Sequence, residues 1–266
     1  MKYPTILLFS GLIVLSACNE KSEKSKWLPD VTNKDHGPLK QKEFSGDFDE
    51  IEVSQAIEAE IIKSDVEKVV ISAPANIIDE VLVEKRNGKI HIHYKTGFRV
   101  MNTNNVTAKI YANDFVKLIA NSAASINVKD KFTQEKTDVE ASSAASITGN
   151  LEANDLEISA DSSSSFDGKI WAVDLDVDAS SAASISISGK SKNAEISSSS
   201  GSSMNGKNVI VENLRAEASS GASLEVSASS TIDAEASSGG SVNVYKKGNV
   251  TTVKKEESSG GSVNIQ

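Results

Sequence analysis

The chain has 266 residues, with 28 Lys and Arg against 37 Asp and Glu and a net charge of −9 at neutral pH. That length allows one large or two small domains, and the acidic balance with 5% aromatic residues excludes the basic stripe of a nucleic-acid binder. A single cysteine leaves no internal disulfide framework.

Met1-Lys2 opens a short apolar run, Ile6–Leu15, that ends in Leu15-Ser16-Ala17-Cys18. A charged start, an apolar stretch too short to cross a bilayer and a small-residue cleavage site read as a signal peptide over residues 1–17. The sole cysteine stands where a bacterial lipobox places it, so cleavage before Cys18 and acylation of Cys18 with palmitate-type chains are expected. Burial of such chains contributes roughly 0.8 kcal/mol per CH2, which makes the lipid membrane the first expected partner. Asn19, rather than Asp, follows the cysteine, the pattern of delivery to the outer membrane. Residues 18–43 then read as a polar tether. Within it Glu20–Lys42 is rich in Lys, Glu and Ser, carries Pro29, Gly37 and Pro38, and has too little apolar surface to fold alone. Trp27 and Leu28 in this stretch read as packing on the body or near lipid.

Residues 44–120 are a β region of a different kind. Phe48–Ile62, Val66–Ser72, Glu80–Lys85, Lys89–Lys95, Val106–Ala112 and Phe115–Ile119 alternate or run apolar, and Asn87-Gly88 is a hairpin-type turn. The region is expected to start the following solenoid and cover its open end. His91 and His93 share one strand face, but no third ligand is spelled out beside them, so they read as a polar strand face rather than a metal site. Asn105-Val106-Thr107 matches a glycosylation sequon, a weak signal in a bacterial chain.

Residues 121–266 repeat. Asn121–Ile126, Ala141–Ile147, Ala160–Phe166, Ala179–Ile185, Ser198–Met204, Ala218–Leu224, Ala236–Val242 and Glu257–Val263 are copies of one Ser-rich stretch, whose anchors Ser125, Ser146, Ser165, Ser184, Ser203, Ser223, Ser241 and Ser262 lie 18 to 21 residues apart. A period of that size marks a solenoid in which each unit buries its apolar face against its neighbours. Between anchors the pattern alternates, as in Asp174–Ala179, which makes half-buried strands, and the small-residue runs read as tight corners. Phe166-Asp167-Gly168-Lys169 returns 38 residues on as Met204-Asn205-Gly206-Lys207. That second period implies a coil of two units, in which two Ser/Gly-rich corners join two parallel sheets. The fold class is therefore an all-β parallel solenoid with no room for helices.

On that stacking Asp138/Glu140, Asp176/Asp178 and Arg215/Glu217 fall on one side of successive coils, and Glu157, Glu195 and Asp233 on the other. Asp138, Glu140, Asp176, Asp178 and Glu217 are the candidate binding residues. Like charges stacked about 4.8 Å apart repel, and a divalent cation such as Ca²⁺ would screen them. A solvated acidic face is the favoured reading, because Arg215 interrupts one ladder and no Gly-Asp calcium repeat occurs. No cofactor is expected. The repeats run to Gln266, leaving an edge that Lys254, Lys255, Glu256 and Glu257 blunt or that pairs with a second copy in a homo-oligomer.

Phe48-Asp49-Glu50-Ile51-Glu52-Val53-Ser54, the strand Gly88-Lys89-Ile90-His91-Ile92, the serial Ser/Gly corners and the late Tyr245-Lys246-Lys247-Gly248-Asn249 together resemble the head GIN domain family of auto-transporter adhesins, of the Bacteroidetes lipoprotein type. The resemblance covers Phe44 to Gln266 and rests on the order of these features rather than on any one. It implies a pectin-lyase-like right-handed parallel β-helix, no retained catalytic residues, and a role in adhesion at the cell surface. Many relatives have Gly-Ser-Gly corners where this chain has Ser-Ala-Ala-Ser or Ser-Ser-Ser-Ser. A corner that needs positive φ resists Ala144 and Ala182, so those corners are expected to differ locally.

Pectin-lyase-like folds also host polysaccharide lyases and hydrolases, but a fold permits an activity without conferring it. Arg86, Arg99 and Arg215 are the only arginines, and Phe132, Phe166, Trp171 and Tyr245 the only aromatic residues of the repeats. A nucleophilic serine needs a base within reach, and all three histidines lie outside the repeats. The sequence thus reads as a non-catalytic, lipid-anchored envelope solenoid that binds a glycan or surface protein in adhesion. An envelope scaffold and a degenerate polysaccharide-active enzyme are the alternatives.

Overall fold

The structure is a computed structural model that describes residues 37–97 and 106–266. The expected signal peptide, Cys18, most of the expected tether and the sequon residue Asn105 lie outside the described residues; Val106 of the sequon is buried. The elements in order are β1 (Leu39–Ser45), β2 (Glu50–Val53), β3 (Glu58–Lys63), β4 (Lys68–Pro74), a 3-10 turn (Ile78–Glu80), β5 (Val81–Arg86), β6 (Lys89–Tyr94), β7 (Thr107–Ala112) and β8 (Lys117–Ala120). Then come the long strands β9 (Ser125–Ala141), β10 (Ser146–Ala160), β11 (Ser165–Ala179), β12 (Ser184–Ser198), β13 (Ser203–Ala218) and β14 (Ser223–Ala236), followed by β15 (Ser241–Lys246), β16 (Thr252–Glu257) and β17 (Ser262–Ile265). All belong to one sheet, a parallel solenoid of about 8 turns to which β1, β4 and β5 add antiparallel pairings.

The coil is one repeat, not two. Each anchor serine lies opposite the next, Ser125 to Ser146, Ser146 to Ser165, Ser165 to Ser184, and so on to Ser262. One repeat suffices because its own apolar residues fill a cross-section: Ile147, Leu151, Ala153, Leu156, Ile158 and Ala160 all point inward and are buried. The in–out alternation breaks at Gly149-Asn150 and again at Asn154-Asp155, where neighbouring residues both face out. These breaks bend each long strand into three short faces around the core. The 38-residue echo has a different origin, the alternation of side chains down shared columns. Phe166 and Met204 lie in one buried column with Ile147, Ile185 and Leu224, so from Ile147 to Met204 a larger or more flexible side chain follows each isoleucine. Ser164 and Ser202, also 38 residues apart, are buried and donate to the carbonyls of Ala141 and Ala179 at 2.7 and 2.8 Å, where Ala145, Ala183 and Ala222 stand in other turns.

The corners are alike in geometry, contrary to the expectation for Ala144 and Ala182. Each has two successive residues at positive φ: Ser143 (53°) and Ala144 (63°), Ser181 (51°) and Ala182 (63°), Ser200 (54°) and Gly201 (72°). This is the signature of a type I′ turn, closed by Ala145 N–H donating to Ser142 O at 3.1 Å and by Ala183 N–H donating to Ser180 O at 2.9 Å. Each corner also bonds to the next, since Ala144 N–H donates to Ser162 O and Ala182 N–H to Ser200 O, at 3.0 and 3.1 Å. A left-handed L-residue costs about 1–2 kcal/mol, but its Cβ meets nothing here: a Cβ built on Gly201, Gly221, Gly239 or Gly260 has open space around it. Alanine and serine are therefore strained but not blocked.

The segment Phe48–Ile62 is not one strand. It turns a corner at Gln55 (φ 60°) and Ala56 (φ 58°), and the resulting β2 and β3 stack on β8 and β9 in register, with Glu58 opposite Ser125. Ala56 N–H donates to Ser122 O at 2.9 Å, so the corner ladder begins here. The other five strand segments appear within two residues of their expected bounds. β6 pairs with β2, β5 folds back on β6 through Asn87-Gly88, and β1 and β4 pair antiparallel to each other, with β4 also antiparallel to β7. Strands β2 and β3 thus continue the parallel ladder of β8 and β9 into the region before the repeats. Leu39–Lys42, which fall in the stretch expected to be a polar tether, are part of β1 and pair with β4.

At the other end, the last coil carries charges at inward positions. Val253, Lys255 and Glu257 stand opposite the buried Ile232, Ala234 and Ala236 of β14. Lys255 and Glu257 pair at 3.1 Å, and Glu257 Oε1 accepts the Val263 N–H at 2.7 Å. An inward ion pair replaces the next apolar layer, which blunts the edge against further stacking.

Candidate functional site: an acidic face along the solenoid

The single-repeat coil rearranges the expected ladders. Glu157, Glu195 and Asp233 do not lie on another side; they interleave with the others in one outward column that reads Lys117, Asp138, Glu157, Asp176, Glu195, Arg215, Asp233, Lys254. A second column two residues on contains Glu140, Ser159, Asp178, Ser197 and Glu217. A third, at the bend, contains Lys136, Asp155, Asp174, Asn193, Asn213 and Thr231. Parallel pairing sets neighbours in a column about 4.8 Å apart.

Cations close both ends of the acidic run. Lys117 Nζ donates to Asp138 Oδ2 at 2.7 Å and to Glu140 Oε1 at 2.5 Å. Partial burial pulls the Lys117 pKa down, but these two carboxylates outweigh it and hold the ammonium above its ordinary value. At the other end Arg215 donates to Glu217 Oε1 through Nε and Nη2, at 2.9 and 2.5 Å, and lies 3.5 Å from Glu195. Three of the five candidate residues, Asp138, Glu140 and Glu217, are thus occupied by ion pairs within the chain.

Asp176 and Asp178 are not. Among the described residues Asp178 accepts a hydroxyl bond alone, from Ser197 at 3.1 Å. Burial, then the charges of Glu195, Asp178 and Asp155, push the Asp176 carboxyl above the usual aspartate value. Beside Asp176 lies a shallow hollow of about 480 Å³, lined by Asp155, Asp174, Asp176, Glu195, Arg215 and a string of amides. In that string Thr231 Oγ1 donates to Asn213 Oδ1 (3.0 Å), Asn213 Nδ2 to Asn193 Oδ1 (3.0 Å) and Asn193 Nδ2 to Asp174 Oδ1 (2.8 Å). The amides and Asp155, Asp174 and Glu195 were absent from the sequence candidates. A signal existed, since Asp155, Asp174 and Asn193 share one offset from Ser146, Ser165 and Ser184.

The site can hold a cationic or hydrogen-bonding partner; it has no nucleophile and base in array. Among the described residues no three His, Cys, Asp or Glu side chains are grouped to hold a metal ion. The nearest approach to a catalytic pair is elsewhere, Ser54 Oγ to His91 Nε2 at 2.6 Å. There Ser54 is 4% exposed, and Glu52 approaches the same Nε2 at 3.5 Å rather than the opposite ring nitrogen that an orienting carboxylate would hold. His91 stacks on His93 at 4.2 Å, and His93 Nδ1 lies 2.8 Å from Tyr94 O.

Comparisons with known proteins agree with this architecture. A family model described as "Putative auto-transporter adhesin, head GIN domain" matches residues 47–248. Among solved structures, a "putative adhesin" from Parabacteroides merdae is 15% identical, with a TM-score of 0.76 over 84% of this chain and 96% of that one. A "putative adhesin" from Parabacteroides distasonis is 19% identical, with a TM-score of 0.78 over 87% of this chain and 98% of that one. A "putative lipid binding protein" from Parabacteroides distasonis is 18% identical, with a TM-score of 0.71 over 86% and 97%. No curated protein matches. At these identities the structures share the fold, while the family model spans most of the sequence, and on that match the chain belongs to the head GIN domain family.

Proposed function

We propose that this protein is an outer-membrane lipoprotein, acylated at Cys18, whose solenoid is a non-catalytic binding surface used in adhesion. The observation that carries this reading is the pair of outward carboxylates Asp176 and Asp178, which no cation of the described residues pairs. Lys117 pairs Asp138 and Glu140, Lys136 pairs Asp155 at 3.4 Å, and Arg215 pairs Glu217 and lies 3.5 Å from Glu195. Asp176 and Asp178 between them pair with no cation among the described residues, and the Asp176 carboxyl is pushed above its ordinary value. Groups held at such a cost on a rigid frame are what a binding surface requires, and the complementary ligand is a basic patch on a surface protein. The family name supports the same role. A scaffold built by stacking solenoids end to end draws less support, because Lys255 and Glu257 occupy the inward positions that a stacked coil would need apolar.

Protease shaving of intact cells, with a sealed periplasmic marker as control, tests display, and palmitate labelling of the wild type against Cys18→Ala tests the anchor. Removal of the protein by shaving is the expected result, together with adhesion of unshaved cells to immobilised basic matrix proteins that is lost on shaving and in Asp176→Lys and Asp178→Lys. Protection of the protein while the marker stays sealed would overturn the surface role.

A further inference from the structure

Trp171 breaks the rule that outward positions of β11 are polar. Its neighbours on that strand's outer side are Asp167, Lys169, Asp174, Asp176 and Asp178, yet the indole is 45% exposed, whereas Phe132 and Phe166 of the same repeats are 1% exposed. The register sets it between Glu152 of β10 and Lys190 of β12, on the face preceding the acidic one. A hollow of about 450 Å³ opens over it, edged by Lys131, Asn150, Lys169 and Lys190. Glu152 is already engaged by Lys131 at 2.7 Å and by the Thr133 hydroxyl at 3.3 Å. Lys169 and Lys190 form no ion pair among the described residues. On a chain of net charge −9, this is a local basic patch around an exposed aromatic plane.

The hollow also adjoins a second one. A trough of about 520 Å³ shares Asn150 and Lys169 with it and is lined by Asn127, Thr148, Ser186, Asn205 and Asn208 and by one carboxylate, Asp167, so a sugar's hydroxyls rather than its acid group suit the trough. Together they make an aromatic platform, two free ammonium groups and a row of amides and hydroxyls on rigid backbone. We propose that Trp171, Lys169 and Lys190 form a binding site for an acidic saccharide. The C–H face of a pyranose stacks on the indole, because polarised C–H groups meet the negative face of the ring. Its carboxylate pairs with Lys169 and Lys190, and its hydroxyls, or those of the next sugar, exchange hydrogen bonds with Asn150 and the amide trough. A single-stranded nucleic acid offers stacking and charge too, but a polyanion running past this patch meets Asp174 and Asp176 on the adjoining face. The site is separate from the acidic hollow and does not depend on it.

The test uses the full chain in detergent, with indole fluorescence and calorimetry, against trigalacturonate, a hyaluronan tetrasaccharide and sialyllactose, with the methyl ester of trigalacturonate and an oligothymidylate as comparators. At least one acidic saccharide is expected to bind, with about tenfold loss in Trp171→Ala, partial retention in Trp171→Phe, and loss of the preference for acid over ester in the Lys169→Gln, Lys190→Gln double variant. Asp176→Lys should leave this binding intact, which separates it from the acidic-face reading. All of these residues are outward-facing, and unchanged circular dichroism checks that the variants fold. Absence of millimolar binding by all three saccharides, equal binding by Trp171→Ala, or tighter binding of the oligothymidylate would each overturn the proposal.

Discussion

Ala182 and Gly201 occupy the same place in successive corners, with φ of 63° and 72°, and Ala182 N–H donates to Ser200 O, one residue before that glycine. The corner geometry is therefore imposed by stacking rather than by the residue. Alanine at this φ gives up about 1–2 kcal/mol to left-handed strain, against about 0.4–1 kcal/mol that glycine loses through the freedom of its unfolded chain. Ala182→Gly should then stabilise the protein by about 0.5–1 kcal/mol and Gly201→Ala destabilise it by a similar amount. Thermal unfolding of the two variants should shift in opposite directions; a shift of the same sign in both would mean that the turn is not the determinant.

Removal of the terminal ion pair should convert a blunt end into a sticky one. In Lys255→Val with Glu257→Val, the inward row over Ile232, Ala234 and Ala236 becomes apolar, and Val253 is already 51% exposed beside it. The double variant is expected to self-associate with rising concentration in light scattering, whereas Glu257→Gln, which keeps an acceptor for Val263 N–H, should behave as the wild type. A double variant of unchanged mass at high concentration would remove the capping role.

Asp176 should make the protein less stable as pH rises. Burial, then Glu195, Asp178 and Asp155, raise its folded-state pKa above the ordinary 3.8, so the folded state holds the proton longer than the unfolded one. Stability falls across the interval from 3.8 up to that raised value and stays lower above it. Asp176→Asn is therefore expected to be more stable than the wild type at neutral pH, with the difference vanishing below 3.8. Denaturant midpoints measured along the pH axis check this, and an Asn variant weaker than the wild type at neutral pH would contradict it.

The histidine cluster acts with the opposite sign. Burial lowers the His91 pKa from 6.5, with His93 and Lys89 adding to it against the pull of Glu52. The unfolded chain thus takes up the proton first, and stability present above 6.5 is lost as pH falls through the lower folded value. Further down, Glu52 follows: burial raises its pKa, but the Lys89 hydrogen bond and the charge of His91 outweigh that and hold it below 4.5. His91→Gln should abolish the first of these two acid steps and reduce the second without removing it, since the Lys89 hydrogen bond to Glu52 remains. If the first step persists unchanged in that variant, another group is responsible.

The period of 18 to 21 residues, the inward alternation of Ile147, Leu151, Leu156 and Ile158, and the small-residue corners were all legible in the sequence, because each is a local consequence of strand pleat and turn geometry. So was the hairpin at Asn87-Gly88. The corner at Gln55-Ala56 was not, since it lacks the serine run and reveals itself only when Glu58 is laid opposite Ser125. The number of repeats in a turn was misread from the return of Phe166 as Met204, a rhythm of side-chain size down a packed column rather than of backbone path.

Composition and spacing thus determined that the chain is a parallel solenoid with acidic outer ladders. Which carboxylates meet, and which are already paired, was decided by tertiary structure alone. Lys117 reaches Asp138 and Glu140 from a strand outside the repeats, and Glu157 and Glu195 enter the same column as Asp176 because one repeat makes one turn. Charge interactions depend on distances between coils, and a sequence records order along the chain, so register had to be known before the open part of the acidic face could be told from the closed.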